Sequence, residues 1–303
     1  MRNIACDRWV ELANDPSFVF LTGDLGFMAL EPLKEALGER FINAGIAEQN
    51  MLSVACGLAI EGMRPWVYSI APFCYARPFE QIRNDVCQHN LSVILVGNGG
   101  GYAYGAMGAS HHALEDYGSL LTLPNISVFV PAFAADLPIM VNLLRERNGP
   151  AYLRLGRSEQ PADTKVIAYA KWRKILPGAG MPVVVVGPLA GEYWRYFLQL
   201  GLGERPELWV LGELPVSGVD EMPAELVQKI LERGVCFVEE HTCQGSAAQQ
   251  VSHLLMSSGI VPKTFRSFHT TGYPTGRYGS QSFHRDQSGI TPHQVISELG
   301  KLS

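Results

Sequence analysis

Short apolar runs alternate with amphipathic stretches through the first half of the chain. Phe18-Val19-Phe20-Leu21 closes at Thr22-Gly23-Asp24 and reads as a buried strand. Arg40–Ala44, Pro65–Ile70, Leu91–Val96, Ile126–Val130 and Ala151–Leu155 have the same strand character. Between them, Met51, Leu52, Ala55, Leu58 and Ala59 fall at helical spacing and predict a helix over Ala47–Gly62. Phe79–Cys87 and Ala134–Arg147 are further helices, the second stopped by Gly149-Pro150. From Ser158 to Gly180 the chain turns polar, then basic, and ends in Pro177-Gly178-Ala179-Gly180. The alternation then restarts, with strands at Val183–Val186, Leu208–Leu211 and Val235–Glu239 and helices at Gly191–Leu200, Pro223–Arg233 and Ser246–Ser257. The expectation is an α/β protein of two domains, 1–160 and 181–303, joined by a linker at 161–180. Each domain is a mostly parallel sheet flanked by helices.

The 303 residues agree with two domains at roughly 150 residues each. Lys and Arg number 24 against 29 Asp and Glu, a net charge of −5, which excludes the basic face of a nucleic-acid or membrane-surface binder. Charged residues are 17% of the chain, against roughly 25% in a typical soluble protein. That deficit points to surface covered by a partner subunit. No run is long and apolar enough for a membrane span, and the first residues lack a signal-peptide core. The six cysteines form no C-x-x-C pair and sit among apolar neighbours. They read as reduced thiols of a cytoplasmic protein rather than a zinc or disulfide framework.

Three clusters carry candidate chemistry. Gly97-Asn98-Gly99-Gly100-Gly101-Tyr102 follows a strand, but Tyr102 stands where a dinucleotide fingerprint needs its third glycine, so a nicotinamide site is not expected. Glu48 opens an otherwise apolar helix. It is either a carboxylate favoured by the helix dipole or a buried acid that exchanges a proton with a heterocycle. His111-His112 follows a glycine-rich turn and precedes Glu115-Asp116. Adjacent histidines suit a metal poorly, because ligands on a helix recur at i, i+4, and a loop histidine suits acid–base work on a substrate. No metal site is expected in this chain: Gly23-Asp24-Leu25 lacks the further oxygen ligands that a hard cation needs.

The run from Arg40 to Met51, containing Gly45-Ile46-Ala47-Glu48-Gln49-Asn50, resembles the cofactor-activating motif of transketolases and deoxyxylulose-phosphate synthases. Ser69–Asn84, Gly108–Asp116 and Leu123–Ala132 fit the same family in order and spacing. The resemblance is strong over residues 1–157 and weaker over 180–303, and it is best matched by the C-terminal subunit of a split transketolase. It implies thiamine diphosphate as cofactor, shared with a separate N-terminal subunit that holds the diphosphate and its Mg2+ or Ca2+. It also implies an α2β2 assembly with self-association through the second domain, and small-molecule sugars as substrates. Glu48 would hydrogen-bond the pyrimidine nitrogen, Phe73 would stack on that ring, Leu25 would support the bent cofactor, and Asp24 lies beside it. His111 would handle protons of substrate hydroxyls. Arg2, Arg77, His112 and Arg157 complete the implied substrate site.

Departures from the family pattern narrow the substrate. Met107 stands where transketolases carry an aspartate, Met28 where they carry a phosphate-anchoring serine, and Gly99 where they carry a phosphate-binding histidine. Methionine offers no donor to an anion, so an atypical sugar is expected in place of an ordinary pentose phosphate. Two rival readings are the β subunit of a 2-oxoacid dehydrogenase E1 component and a non-catalytic scaffold subunit.

Overall fold

The computed structural model describes residues 1–26, 28–157 and 160–301. Its strands are β1 (Phe18–Thr22), β2 (Phe41–Asn43), β3 (Arg64–Ile70), β4 (Ile94–Asn98), β5 (Ser127–Phe129), β6 (Ala151–Leu155), β7 (Trp172–Leu176), β8 (Val183–Val186), β9 (Leu208–Leu211), β10 (Glu213–Leu214), β11 (Val235–Glu239) and β12 (Phe265–Phe268). They form a seven-stranded sheet in the order β10-β5-β6-β4-β3-β1-β2 and a five-stranded sheet in the order β12-β11-β8-β9-β7. All pairings are parallel except β10 with β5 and β7 with β9. The α/β class with two mostly parallel sheets is therefore observed.

Alternation along each strand builds a core on both faces of each sheet. In β1, Phe18 and Phe20 join Trp9, Trp66 and Tyr68 on one face, while Val19 and Leu21 join Met51, Leu52 and Val67 on the other. Trp9 lies 5.0 Å from Phe20 and 6.0 Å from Trp66 between ring centroids. In β8, Val183 and Val185 face Tyr193 and Phe197, while Val184 and Val186 face the opposite layer. Strands covered on both faces read as unbroken apolar runs, which is why they are legible in the sequence.

The stretch expected to be linker contains β7, an antiparallel edge strand of the second sheet. Its charges disguise it. Arg173 is buried because it ion-pairs with Asp136 at 2.5 Å, and Lys174 reaches Glu225. Asp136 also accepts the backbone N–H groups of Ala132 and Phe133 at 2.9 and 3.0 Å. β10 is a second exception to a clean division. It comes from the later half of the chain yet extends the first sheet. The expected helix at Phe79–Cys87 is an α-turn, Phe79–Gln81, continued by a π-helix, Ile82–Cys87. No helix among the described residues is long and apolar enough to cross a membrane.

Candidate active site

The carboxyl ends of neighbouring parallel strands are where an open α/β sheet presents its ligand crevice. Asp24 and Leu25 follow β1, Glu48 follows β2, Phe73 follows β3, His111 follows β4 and Arg157 follows β6. Arg2 comes from the helix Arg2–Glu11 and lines a cavity at the same edge.

Glu48 begins the helix Glu48–Ile60, whose buried positions are 48, 51, 52, 55 and 56. That stripe has the period of one helix face, so the acid is carried inward with Met51 and Leu52. Its side chain is 7% exposed, and Oε1 accepts a hydrogen bond from Arg77 Nη1 at 2.8 Å. Among the described residues, Oε2 receives no hydrogen bond. The Arg77 guanidinium also lies over the Phe73 ring, 3.9 Å from its centroid. Phe73 in turn meets the His111 ring edge-on at 5.3 Å. Four residues separated in sequence thus form one contiguous patch. A cavity of about 420 Å³ opens at Glu48, lined also by Ile46, Gln49, Asn50 and Arg77.

His111 is half-buried and its Nδ1 pairs with Ser110 Oγ at 3.0 Å. Its ring also meets Tyr104, at 5.9 Å. No sequence motif pointed to Tyr104. Its hydroxyl accepts from Asn98 Nδ2 at 2.9 Å, and burial raises its pKa. Tyr104 and Asn98 line a cavity of about 510 Å³ together with Arg2 and Arg157. The two arginines expected at the substrate site therefore share a wall. Asp24 and Leu25 line a separate cavity of about 260 Å³ with Thr22, Lys34 and Asn43. Asn43 Nδ2 donates to Asp24 Oδ1 at 3.4 Å.

His112 departs from its expected place facing substrate. It is buried, with Nδ1 on the Tyr273 hydroxyl at 2.8 Å and Nε2 on the Gly105 carbonyl at 2.7 Å. Both ring nitrogens are used inside the protein. Burial lowers its pKa. Beneath the loop, Arg154 donates to Asp116 Oδ2 at 2.7 Å and to the carbonyls of Ala113 and Glu240 at 2.8 and 3.0 Å. Glu240 accepts from Tyr102 N at 2.6 Å and from Arg285 Nη2 at 2.7 Å. These buried groups are invisible as a network in the sequence because their partners lie up to 138 residues apart.

The pattern described as "Transketolase, pyrimidine binding domain" matches residues 10–162. One chain of the two-part apulose-4-phosphate transketolase of Phocaeicola vulgatus is 31% identical over 85% of this chain and 85% of its own length. The chain belongs to the transketolase family. The corresponding apulose-4-phosphate transketolase chain of Actinobacillus succinogenes is 31% identical over 98% of this chain and 96% of its own. A 1-deoxy-D-xylulose-5-phosphate synthase of Geobacter sulfurreducens is 32% identical over 87% of this chain, which covers 42% of that relative. Among solved structures, one described as "Split gene transketolase, inactive beta4 tetramer" superposes with a TM-score of 0.80 at 28% identity, over 99% of this chain and 96% of that one.

Membership in this thiamine diphosphate-dependent transferase family makes its departures interpretable. At Gly99, which has φ +82°, a Cβ would lie 2.2 Å from the Tyr104 ring. In this transketolase the tyrosine fills the space that a side chain at position 99 would take. Met28 and Met107 are 79% and 56% exposed, so neither is held in the core by packing.

Proposed function

We propose that this chain is the pyrimidine-side subunit of a split transketolase that transfers a two-carbon ketol unit from a ketose or 2-oxo donor to an aldehyde. The observation that carries this reading is the patch in which Glu48, Arg77, Phe73 and His111 touch in succession. The residues fit the pyrimidine end of thiamine diphosphate. A buried carboxyl with one oxygen unclaimed stands over a cavity, and an aromatic face lies within reach of its ion-pair partner. When bound, the cofactor supplies the nucleophilic carbon and the electron sink for two-carbon transfer. Glu48 holds a proton against the ring nitrogen through Oε2, and its burial keeps competing water away. Phe73 offers its face to the ring, while Leu25 and Asp24 border the cofactor's path. Arg77 anchors the other carboxyl oxygen and so orients Glu48. His111 exchanges protons with substrate hydroxyls, and Arg2 and Arg157 receive an anionic group on the sugar.

The diphosphate and its Mg2+ or Ca2+ belong to a separate N-terminal subunit in an α2β2 assembly. Relatives that are themselves named as one part of a two-part enzyme, and the inactive tetramer of β chains alone, support that division and the capacity for self-association. The free, mostly buried cysteines suit a reducing cytoplasm. The substrate is an atypical sugar, as the methionines at 28 and 107 suggest, and the relatives' names make apulose 4-phosphate the first compound to try.

The test starts with the tagged chain drawn from its native cell and native mass spectrometry. A second chain carrying thiamine diphosphate is expected. In the assembled enzyme, Glu48→Gln should lose roughly 10²- to 10⁴-fold in kcat with the assembly intact. A lone oligomer that never retains the cofactor, or a fully active Glu48→Gln enzyme, would leave the scaffold reading. Efficient pyruvate decarboxylation with a dye acceptor would instead assign the E1 reading, and robust turnover of xylulose 5-phosphate with ribose 5-phosphate would remove the atypical sugar.

A further inference from the structure

The loop that carries His111 has little to hold its shape locally. Gly99, Gly101, Gly105 and Gly108 all take positive φ, between +52° and +82°. Glycine passes freely between such conformations and others, so the shape of this loop must be imposed from outside.

The second half of the chain imposes it. Tyr102 donates its hydroxyl to the Gly272 carbonyl at 2.8 Å, and its ring stacks on His284 at 4.8 Å. A Cβ on Gly105 would lie 3.1 Å from the Gly279 carbonyl oxygen, and one on Gly108 would lie 3.2 Å from the Tyr278 ring. The turn is moulded closely against this segment. His112 is the fastening. The Gly105 carbonyl can only accept, so Nε2 must carry the proton. Nδ1 is then an acceptor, and the Tyr273 hydroxyl donates to it. The chain of donors runs one way: Tyr273 to His112 to Gly105, across the loop, with His111 adjacent in sequence.

We infer that Tyr273 is a positioning residue for His111, acting through His112 and Gly105, so that the second domain forms the back wall of the active site as well as any contact between subunits. The inference rests on the reading of His111 as the residue that meets substrate. Tyr273 itself touches neither His111 nor the Glu48 patch among the described contacts.

The full-length chain labelled with ¹⁵N-histidine tests it by long-range ¹H–¹⁵N NMR. His112 is expected as the Nε2–H tautomer. Tyr273→Phe keeps the ring and removes only the donor, and it should shift the ring signals of both His112 and His111. In the assembled enzyme it should lower kcat by about 3- to 10-fold, the worth of one hydrogen bond, with thiamine diphosphate affinity unchanged. Tyr278→Phe, which keeps the ring that roofs Gly108, should move neither readout. An Nδ1–H tautomer of His112, or His111 signals unmoved in Tyr273→Phe, overturns the inference and leaves the functional reading in place. Full activity of His111→Ala overturns it from the other side, by removing the reading beneath it.

Discussion

Replacing Arg154 by Met tests the buried charge network under the site. Arg154 is 3% exposed and its partner Asp116 is fully buried, with Nε to Oδ2 at 2.7 Å. The substitution keeps most of the apolar stem but deletes three donated bonds, to Asp116, Ala113 and Glu240. Asp116 would keep only Tyr152, whose hydroxyl donates at 2.9 Å. Removing one member of a buried pair costs roughly 3–5 kcal/mol, because the survivor is an uncompensated charge in low dielectric. At roughly 2–4 °C per kcal/mol for units of 150–250 residues, the melting temperature should fall by about 6–20 °C. Urea unfolding followed by circular dichroism gives the free energies directly. The double variant Asp116→Asn/Arg154→Met removes both charges yet leaves an acceptor for Tyr152, so it should recover at least half of the loss. A single-variant cost below about 1 kcal/mol, or a double variant that merely sums the two singles, would refute the account of this pair as a buried, mutually dependent one.

Two further predictions concern protons and thiols. His241 is buried by stacking on Tyr117 at 3.8 Å, accepts from Gly118 N through Nε2 at 3.1 Å, and has its pKa lowered by burial. With His112 also lowered, the unfolded chain takes up protons at a higher pH than the native one. The stability is thus complete above the unfolded histidine pKa of about 6.5 and declines as pH falls below it. The urea midpoint should drop between pH 7.5 and 5.5, and an unchanged midpoint would contradict the neutral, buried state. Burial pushes the thiols of Cys56, Cys74 and Cys87 up to about 12, and Cys6 and Cys236 are also buried and raised. Only Cys243 is partly exposed, so a thiol reagent at pH 8 should count one cysteine in the native chain and all six in urea.

Much of the fold is legible because its signals are local. Strands such as Phe18–Thr22 and Val183–Val186 are apolar throughout, as strands covered on both faces must be. The helix after β2 shows its stripe from Met51 to Cys56, and the same periodicity carries Glu48 inward. Where charges lie on a buried element, the local signal reverses. β7 stays hidden because Arg173 reads as solvated until Asp136, 37 residues earlier, is known to meet it. β12 and the helices Gln281–Gln287 and Pro292–Gly300 carry weaker apolar patterns and do not stand out in the sequence.

The sequence alone determined the α/β class, the family, and the residue types able to act on a cofactor, since each is written in spacing or motif. Tertiary structure alone decided which of those residues meet. It joined Glu48 to Phe73 through Arg77, brought Tyr104 beside His111, and put Arg2 and Arg157 on one cavity wall. It also separated two neighbours that the sequence treats alike, leaving His111 half-buried at the patch and turning His112 into the interior. The physical reason is that orientation and burial are fixed by partners distant along the chain. Tyr273 lies 161 residues from His112, and no local pattern records a contact of that range.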